Sequence, residues 1–393
     1  MTTISEDDER ALLDSIDRWL EKKVAPVAAK FEQADEYPQE LVDDMIEMGL
    51  FGALIEPEYG GLGLSALTYC RIVARISEEW MSLTGVFNSH LMMALVVQKF
   101  GTQLQKEHWL PKFATGELRG GLGLTEAAAG TDLQGIHTVA RRDGDDYVVN
   151  GSKLWITNVI EGDILALLVK TDPEAQPRHR GMTMLIVPTR DMQTRGDLAG
   201  VTRGRKLQKL GYKGIDTGEI NFADYRCDAA LSLVGGEEGK GFLMATGGLE
   251  IGRVNVAARG VGVARRALKE AVAYAQMRKT MGKPIAEHQA IQIKLGTMAA
   301  KTRAAELLVD DAARAYDGGG RVDMEAGMAK WFASETAFEC ATEAMRIFGA
   351  NGYSRDYPIE RLFRDAPLMM IGEGSNEMQL IIIARQLIAR NRI

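Results

Sequence analysis

The sequence has 393 residues, of which 46% are hydrophobic and 26% are charged, and its formal net charge is −7. This length predicts two or three domains with a large core, and the acidic balance argues against a nucleic acid as the main partner. Three widely separated cysteines and five histidines without ligand spacing favour a reducing compartment and show no pattern for a disulfide framework or a metal site.

The first third of the chain predicts helices. Apolar residues recur at helical spacing over 12–24 and 41–48, and the stretch 68–100 predicts two buried helices with a break around 82–88. The acidic first ten residues contain no signal segment, and the apolar run 91–97 is too short to span a bilayer. We therefore predict an all-α domain over 1–119 in a cytoplasmic, bacterial-type protein that is not inserted in a membrane.

The pattern changes at about residue 120. Short β-rich segments follow, separated by Gly, Asp and Pro, at 146–151, 164–169, 182–187 and 219–222. Their spacing is typical of an antiparallel barrel or sandwich, to which we assign 120–235. Helical periodicity then returns at 243–277, 288–316, 326–348 and 375–390. These stretches predict a four-helix bundle over 236–393 and an α+β fold class with three domains.

Two polar strings in the middle region have a composition suited to ligand binding. The string 124–132 offers the Thr125 hydroxyl and free backbone N–H groups at the Gly130 turn, which suit a polar heterocycle or a phosphate. The second string places Trp155 and Thr157 on one face of a strand, where an indole can stack on a flat ring and a hydroxyl can bond it. Taken alone, an ordinary loop and an ordinary strand explain the two strings better.

An isolated carboxylate near the C-terminus is the third feature. Glu373 lies between Gly372 and Gly374, behind an apolar run. A carboxylate at the edge of an apolar pocket has a raised pKa and is a better base for a weak carbon acid. The alternative is a plain helix start with Ser375 as its N-cap, and this alternative is the stronger one for the segment by itself.

Seven motifs in order make the sequence similar to the acyl-CoA dehydrogenase family over nearly its whole length. They lie at 125–132, 150–158, 209–213, 278–285 with Gln289, 347–352, 357–365 and 373–375. The resemblance implies an N-terminal helical domain, a middle β-barrel and a C-terminal helical bundle, with FAD between the barrel and the bundle. It also implies an acyl-CoA substrate, electron transfer to an electron-transfer flavoprotein, and a homo-oligomer, expected to be a tetramer.

The resemblance further implies which residues bind FAD. Leu124 and Thr125 would face the pyrimidine edge of the flavin, Trp155 would cover the ring, and Thr157 would bond the N5 region. Thr131 replaces a family serine and keeps its hydroxyl. Arg278 would pair with the FAD pyrophosphate across a subunit interface. The other residues that the resemblance assigns to FAD, in the flavin loop or at the adenine-diphosphate half, are Gly130, Met281, Gln289, Gly349, Gly352, Ser375 and Glu377.

By the same resemblance, Glu373 removes the α-proton of an acyl-CoA thioester, and its backbone N–H helps to stabilise the enolate oxygen. The β-hydride passes to flavin N5, giving a trans-2-enoyl thioester. Some family members carry the base at the position of Gly252, which cannot act, so Glu373 is favoured. Glu250 would contact the pantetheine arm or solvent, and Arg253 would orient the active-site backbone. The unhindered backbone at Gly372 and Gly374 would help the Glu373 N–H to reach the enolate oxygen.

Gly372 departs from the family pattern, because an aromatic residue often precedes the base. Its small size predicts room for a branched, cyclic or otherwise bulky acyl group. Near the expected floor of the pocket, Asn88, Ser89 and His90 indicate either a polar group on the acyl chain or hydrogen bonding at a break between helices. Ala127 and Met281 replace a family proline and phenylalanine, changes that such sites tolerate.

Two alternative functions are compatible with the same fold. An acyl-CoA oxidase would return the electrons to O₂, and a non-catalytic or DNA-repair-associated flavoprotein would lack turnover. The retained base, the Trp155 and Thr157 pair and the acidic net charge disfavour the second alternative.

Overall fold

The computed structural model describes residues 5–248 and 250–392; residues 1–4 of the acidic N-terminal segment and Leu249 lie outside this description. The first region is helical, as predicted. Its helices are α1 (Glu6–Trp19), α2 (Ala28–Ala34), α3 (Gln39–Glu47), α4 (Ala66–Phe100) and α5 (Gln103–Ala114). Helix α5, which the periodicity did not predict, begins with a capping box in which Thr102 and Gln105 satisfy each other's backbone N–H groups.

Helix α4 is the central helix of the first region. It runs for 35 residues with a kink at Trp80, whose φ of −156° and ψ of 98° are not helical. The predicted break at 82–88 is therefore wrong in position, because those residues continue the helix. By length and composition α4 could cross a membrane, but 94% of its most apolar stretch is buried within the protein. It is a core helix of this fold.

The middle region is a curled sheet. Its strands are β1 (Gly120–Gly123), β2 (Val139–Asp143), β3 (Asp146–Thr157), β4 (Ile164–Lys170), β5 (Met182–Pro188), β6 (Val201–Arg203) and β7 (Thr217–Asp228). The order is β1-β4-β2-β3-β7-β6, and β5 also pairs with β4.

The sheet is mixed, which corrects the prediction of a purely antiparallel barrel. Strand β1 pairs with β4 in parallel, and Val139 of β2 meets Lys170 of β4 in parallel. A parallel pair needs a crossover, and here the β2–β3 hairpin lies in the chain between β1 and β4. The segments β1, β2 and β6 are too short for a periodic pattern, so the sequence did not predict them.

The last region is helical again. It contains α6 (Ala229–Ser232), α7 (Gly241–Gly248), α8 (Glu250–Met277), the short strands β8 (Lys279–Thr280) and β9 (Lys283–Pro284), α9 (Gln289–Asp317), α10 (Asp323–Phe348), α11 (Ile359–Ile371) and α12 (Asn376–Arg390). Helix α10 contacts α8, α9, α11 and α12. In the described residues, the four predicted stretches are helical apart from His288 and Ser375, which directly precede α9 and α12. Helix α11 was not predicted, because Pro367 lies inside it.

Candidate active site

Glu373 lies in the turn between α11 and α12, which we call the Glu373 turn (residues 371–375). Its φ is +55° and that of Gly374 is +82°, so two successive residues adopt the left-handed conformation. For a residue with a Cβ this conformation costs about 1–2 kcal/mol. Such strain concentrates at functional sites, and two other residues of the predicted set, Trp155 and Met281, share it with φ of 63° and 51°.

The carboxylate of Glu373 faces Gly252 of α8. A Cβ placed on Gly252 would lie 3.0 Å from Glu373 Oε2 and 3.2 Å from Met92 Sδ. The two positions at which the resemblance predicts a base therefore lie side by side in this chain. The missing side chain at Gly252 makes the room that the Glu373 carboxylate occupies.

The electrostatics of this point suit a base. Burial raises the pKa of Glu373 above its ordinary value, against the opposing positive charges of Arg259, Arg253 and Lys330. The burial effect is the larger one, so the carboxylate is a stronger proton acceptor than a solvated glutamate. The residue as a whole stays partly accessible, which leaves a path for a substrate.

Side chains that the sequence reasoning missed hold the Glu373 turn. Lys330 of α10 is fully buried and donates from Nζ to the Gly374 carbonyl at 2.8 Å. Gln379 of α12 donates to the carbonyls of Glu373 and Gly374 at 3.3 and 3.0 Å. A sequence signal for Lys330 existed: it stands on an alanine-rich helical face with Ala326 and Ala333, where a solvated lysine would be out of place.

A second buried lysine organises the predicted flavin loop. Lys153 of β3 donates to the Leu124 carbonyl at 3.1 Å and pairs with the Glu126 carboxylate at 2.8 Å. Its neighbour Leu154 donates its backbone N–H to the Thr125 carbonyl at 2.9 Å. The two polar strings of the sequence therefore adjoin in the fold, as the prediction that they act together requires.

The residues beside this loop fit a flat aromatic cofactor. The Trp155 side chain is 57% exposed, an unusual state for a large aromatic side chain in a folded protein. Gly130 and Thr131 are exposed at the end of the loop, and a Cβ on Gly130 would meet nothing within 4 Å. A ring stacked on Trp155 would cover this exposed apolar surface, so the residues fit the isoalloxazine of FAD.

The predicted adenine-diphosphate residues lie on a different surface. Arg278, Met281 and Gln289 are exposed on the connection from α8 to α9, and Met281 is 95% exposed. The bonds of the described residues do not join their side chains to the flavin loop in this one chain. Their exposure agrees with the prediction that they act at a neighbouring subunit, which stays a prediction.

The other residues predicted to bind the adenine-diphosphate half of FAD differ in their exposure. Gly349 is exposed, whereas Gly352 is buried and a Cβ on it would lie 2.8 Å from the Met345 carbonyl oxygen, so packing alone explains this glycine. Ser375 occupies the N-cap position of α12 without a side-chain capping bond, and Glu377 is exposed in the first turn.

The predicted substrate residues fall into two groups. Arg253 is anchored to Asp323 of α10 at 3.1 Å while its charge acts on Glu373, in line with an orienting role. Glu250 lies two residues before Gly252, and burial raises its pKa. Gly372 is different, because a Cβ there would meet only Leu368 atoms within 4 Å, the carbonyl oxygen at 3.3 Å and Cδ1 at 4.0 Å.

The polar residues at the expected pocket floor are already engaged. Asn88 is buried in α4, and its Oδ1 accepts a hydrogen bond from the Tyr69 hydroxyl at 3.0 Å. His90 is buried with Nε2 at 3.0 Å from the Phe113 carbonyl oxygen, and burial lowers its pKa to about 4. These contacts favour internal hydrogen bonding over a polar acyl group, although the helix is not broken at this point.

Comparisons with known proteins identify the family. The models of the N-terminal, middle and C-terminal domains of acyl-CoA dehydrogenase match residues 6–117, 121–225 and 239–388. The chain is 37% identical to an acyl-CoA dehydrogenase of Bacillus subtilis, over 93% of this chain and 94% of that protein. It is also 37% identical to a 3-(aryl)acrylate reductase of Clostridium sporogenes, over 94% and 95%. The structure of butyryl-CoA dehydrogenase from Megasphaera elsdenii superposes with a TM-score of 0.92 at 35% identity, covering 99% of this chain and 100% of that one.

Proposed function

The chain belongs to the acyl-CoA dehydrogenase family of oxidoreductases, and we propose that it dehydrogenates an acyl-CoA thioester at the α and β carbons with Glu373 as the base. The observation that carries this proposal is the Glu373 carboxylate, desolvated and facing Gly252, at the point where both family base positions meet. FAD, when bound, would supply the hydride acceptor.

Glu373 would perform two tasks. Its carboxylate accepts the α-proton, a step favoured because burial raises its proton affinity. Its backbone N–H has no partner among the backbone hydrogen bonds of the described residues and can donate to the thioester oxygen as negative charge develops there. The left-handed turn presents base and donor from one residue, so both are positioned together.

The cofactor half of the proposal uses the flavin loop. Trp155 would stack on the ring, and Leu124, Thr125 and Thr157 would lie at its polar edges. Lys153 would keep the loop in place through the Leu124 carbonyl. We further propose a cytoplasmic homo-oligomer, in which Arg278 of a neighbouring copy reaches the diphosphate, and an electron-transfer flavoprotein as the electron acceptor.

The acyl group is proposed to be bulky near its α and β carbons. Gly372 has an ordinary φ of −71°, so a side chain is sterically permitted at a position where this chain has none. The relative that reduces 3-(aryl)acrylates is so named for an aryl-bearing acid, which is compatible with a wide site. Butyryl-CoA, isobutyryl-CoA and 3-phenylpropionyl-CoA would separate narrow from wide acyl sites.

The test is an anaerobic titration of the flavin-loaded protein with these three thioesters, read as bleaching of flavin absorbance. We expect bleaching, fastest with a bulky thioester, and bleaching about 10³- to 10⁴-fold slower in Glu373→Gln. Rapid reoxidation of the bleached flavin in air would instead indicate the oxidase. Gly372→Tyr is expected to shift the preference towards butyryl-CoA, and an unchanged preference would contradict the bulky-group proposal.

A further inference from the structure

Lys330 is a residue of α10 whose side chain contacts the Glu373 turn. Its side chain is fully buried, and Nζ donates to the carbonyls of Met370 and Gly374 at 3.3 and 2.8 Å and to Asn376 Oδ1 at 2.9 Å. The three acceptors belong to the end of α11, to the turn itself and to the start of α12. One ammonium group therefore ties together the three segments that determine where Glu373 points.

The chemistry of these acceptors selects the charged form of the lysine. All three are carbonyl-type oxygens, so each needs a donor. An ammonium group has three N–H donors, one for each of these oxygens, whereas a neutral amine has two and would give up one of the three bonds. The Gly374 carbonyl and Asn376 Oδ1 also accept from Gln379 Nε2 at 3.0 Å and Ser334 Oγ at 3.2 Å, so a lost lysine bond weakens the pairing at these two oxygens without removing it. Asn376 Nδ2 is not a substitute donor, because its two N–H groups donate to Ser334 Oγ at 3.0 Å and Glu335 Oε1 at 2.7 Å.

The partners in direct contact do not neutralise that charge. The charged groups that act on Lys330 are Glu373, Glu377, Glu335 and Arg253, and its three hydrogen-bond acceptors are uncharged. The groups that act on Glu373 are Arg259 and Arg253 of α8 and Lys330 of α10. Tyr69 of α4 and Tyr212 of the β6–β7 connection also lie within electrostatic range of Glu373. Lys330 is the member of this set that also bonds the backbone of the turn.

We propose that Lys330 is a positioning residue for the base: its ammonium group holds the left-handed Glu373 turn in place and stabilises the ionised carboxylate. The inference rests on the proposed role of Glu373. It assigns to one side chain both the geometry of the base, through three hydrogen bonds, and part of its acidity, through charge.

Two variants separate these contributions. Lys330→Met fills a similar volume without donors or charge, and Lys330→Gln retains a donor without the charge. Lys209→Met is the control. Lys209 is also largely enclosed, its pKa is likewise lowered by burial to about 8, and it bonds the Ile215 carbonyl and Thr217 Oγ1, but the charges acting on it do not include Glu373.

The experiment measures flavin reduction in the flavin-loaded enzyme by anaerobic stopped flow, at saturating acyl-CoA, from pH 5.5 to 9.5. For Lys330→Met we expect the limiting rate at pH 7 to fall about 10- to 100-fold, because a displaced base loses alignment. The apparent pKa of the base should rise by roughly half to one unit, because an opposite charge is lost. Lys330→Gln should recover part of the rate but not the pKa, and acyl-CoA affinity should change little in either variant.

A second readout does not depend on turnover. Infrared difference spectra taken across the pH titration report the Glu373 carboxyl band, identified by its loss in Glu373→Gln. The band should titrate at higher pH in Lys330→Met than in the wild type and be unchanged in Lys209→Met. Wild-type rate and titration in both Lys330 variants, or an equal shift in Lys209→Met, would overturn the inference. If no acyl-CoA reduces the wild-type flavin, the proposed function fails, while the infrared titration still decides the role of Lys330.

Discussion

Two fully buried lysines hold the two halves of the proposed site, and their charges are compensated in different ways. Lys153 pairs directly with the Glu126 carboxylate at 2.8 Å beside the flavin loop. Lys330 is bonded only to uncharged oxygens and acts on the Glu373 carboxylate through space. Burial lowers the pKa of both to about 8.

The difference separates Lys153, whose contacts are those of a structural anchor, from Lys330, which we propose acts on the base. The Glu126 carboxylate also accepts from Thr138 Oγ1 and the His137 and Thr138 N–H groups, so the Lys153 ion pair is satisfied within itself. An ion pair whose carboxylate has all these donors can hold a loop in place, but its opposite charges nearly cancel at a distance. Lys330 lacks a contacting carboxylate, so its field remains available to the base.

Removing the base gives the largest expected effect. In Glu373→Gln, the rate of flavin reduction should fall about 10³- to 10⁴-fold, because the general base is lost while the shape of the side chain is kept. Fold stability should change little, since a desolvated carboxylate becomes a neutral amide. Anaerobic stopped flow and denaturant unfolding measure the two quantities. Substantial turnover in this variant would place the base elsewhere.

Breaking the Lys153–Glu126 ion pair should lower the free energy of unfolding more than removing Lys330, which has no carboxylate in direct contact. Lys153→Met leaves the Glu126 carboxylate buried without its counter-ion, for which we expect a loss of about 3–5 kcal/mol. Lys330→Met removes one donor from each of three uncharged oxygens, two of which keep a second donor, with an expected loss of roughly 1–3 kcal/mol. Denaturant unfolding of the flavin-loaded enzyme gives both values.

The double variant Lys153→Met/Glu126→Gln tests the reason for that cost. Because Glu126→Gln removes the buried carboxylate charge that has lost its partner, the double variant should recover part of the stability lost in Lys153→Met. Equal losses of unfolding free energy in Lys153→Met and Lys330→Met would contradict the proposed difference between the two lysines.

A methyl group at Gly252 tests the position of the carboxylate that Lys330 supports. The added Cβ in Gly252→Ala would lie 3.0 Å from Glu373 Oε2, so the carboxylate must move, and the limiting rate should fall about 10- to 100-fold. Gly296→Ala is the matched control, because that helical glycine has open space around its Cβ position. Similar rates in both variants would show that Glu373 does not act from this point.

The pH dependence should show the smallest effect. As pH falls through the raised pKa of Glu373, the base becomes protonated and the rate decreases. Lys330 is charged below its pKa of about 8, so its support is complete at lower pH and is lost as pH rises through about 8. We therefore expect a several-fold decrease of the rate on the alkaline side, absent in Lys330→Met. The same decrease in that variant would assign it to another group.

Much of the site could be predicted from the sequence because its signals are local. Glu373 stands between two glycines, Gly252 occupies the alternative base position that the resemblance implies, and Trp155 and Thr157 lie two residues apart. The strand face that the sequence assigned to both is not a regular one, because the register shifts between Lys153 and Ile156 and Trp155 has a φ of 63°. The helices with a clear apolar period were predicted, whereas α11 was missed because Pro367 interrupts its pattern. The break in α4 was misplaced, because the backbone departure at Trp80 has no composition signal in the sequence.

The sequence by itself determined the family and the helical and β-rich regions, and it supplied Glu373 as the proposed base, since motifs and the periods of 2 and 3.6 residues are properties of short segments. Only the tertiary structure decided that β1 runs parallel to β4, and that a lysine 44 residues before Gly374 donates to its carbonyl. Both depend on which distant segments pack together. The charge of Lys330 has a role only because burial removes the water that would otherwise screen it.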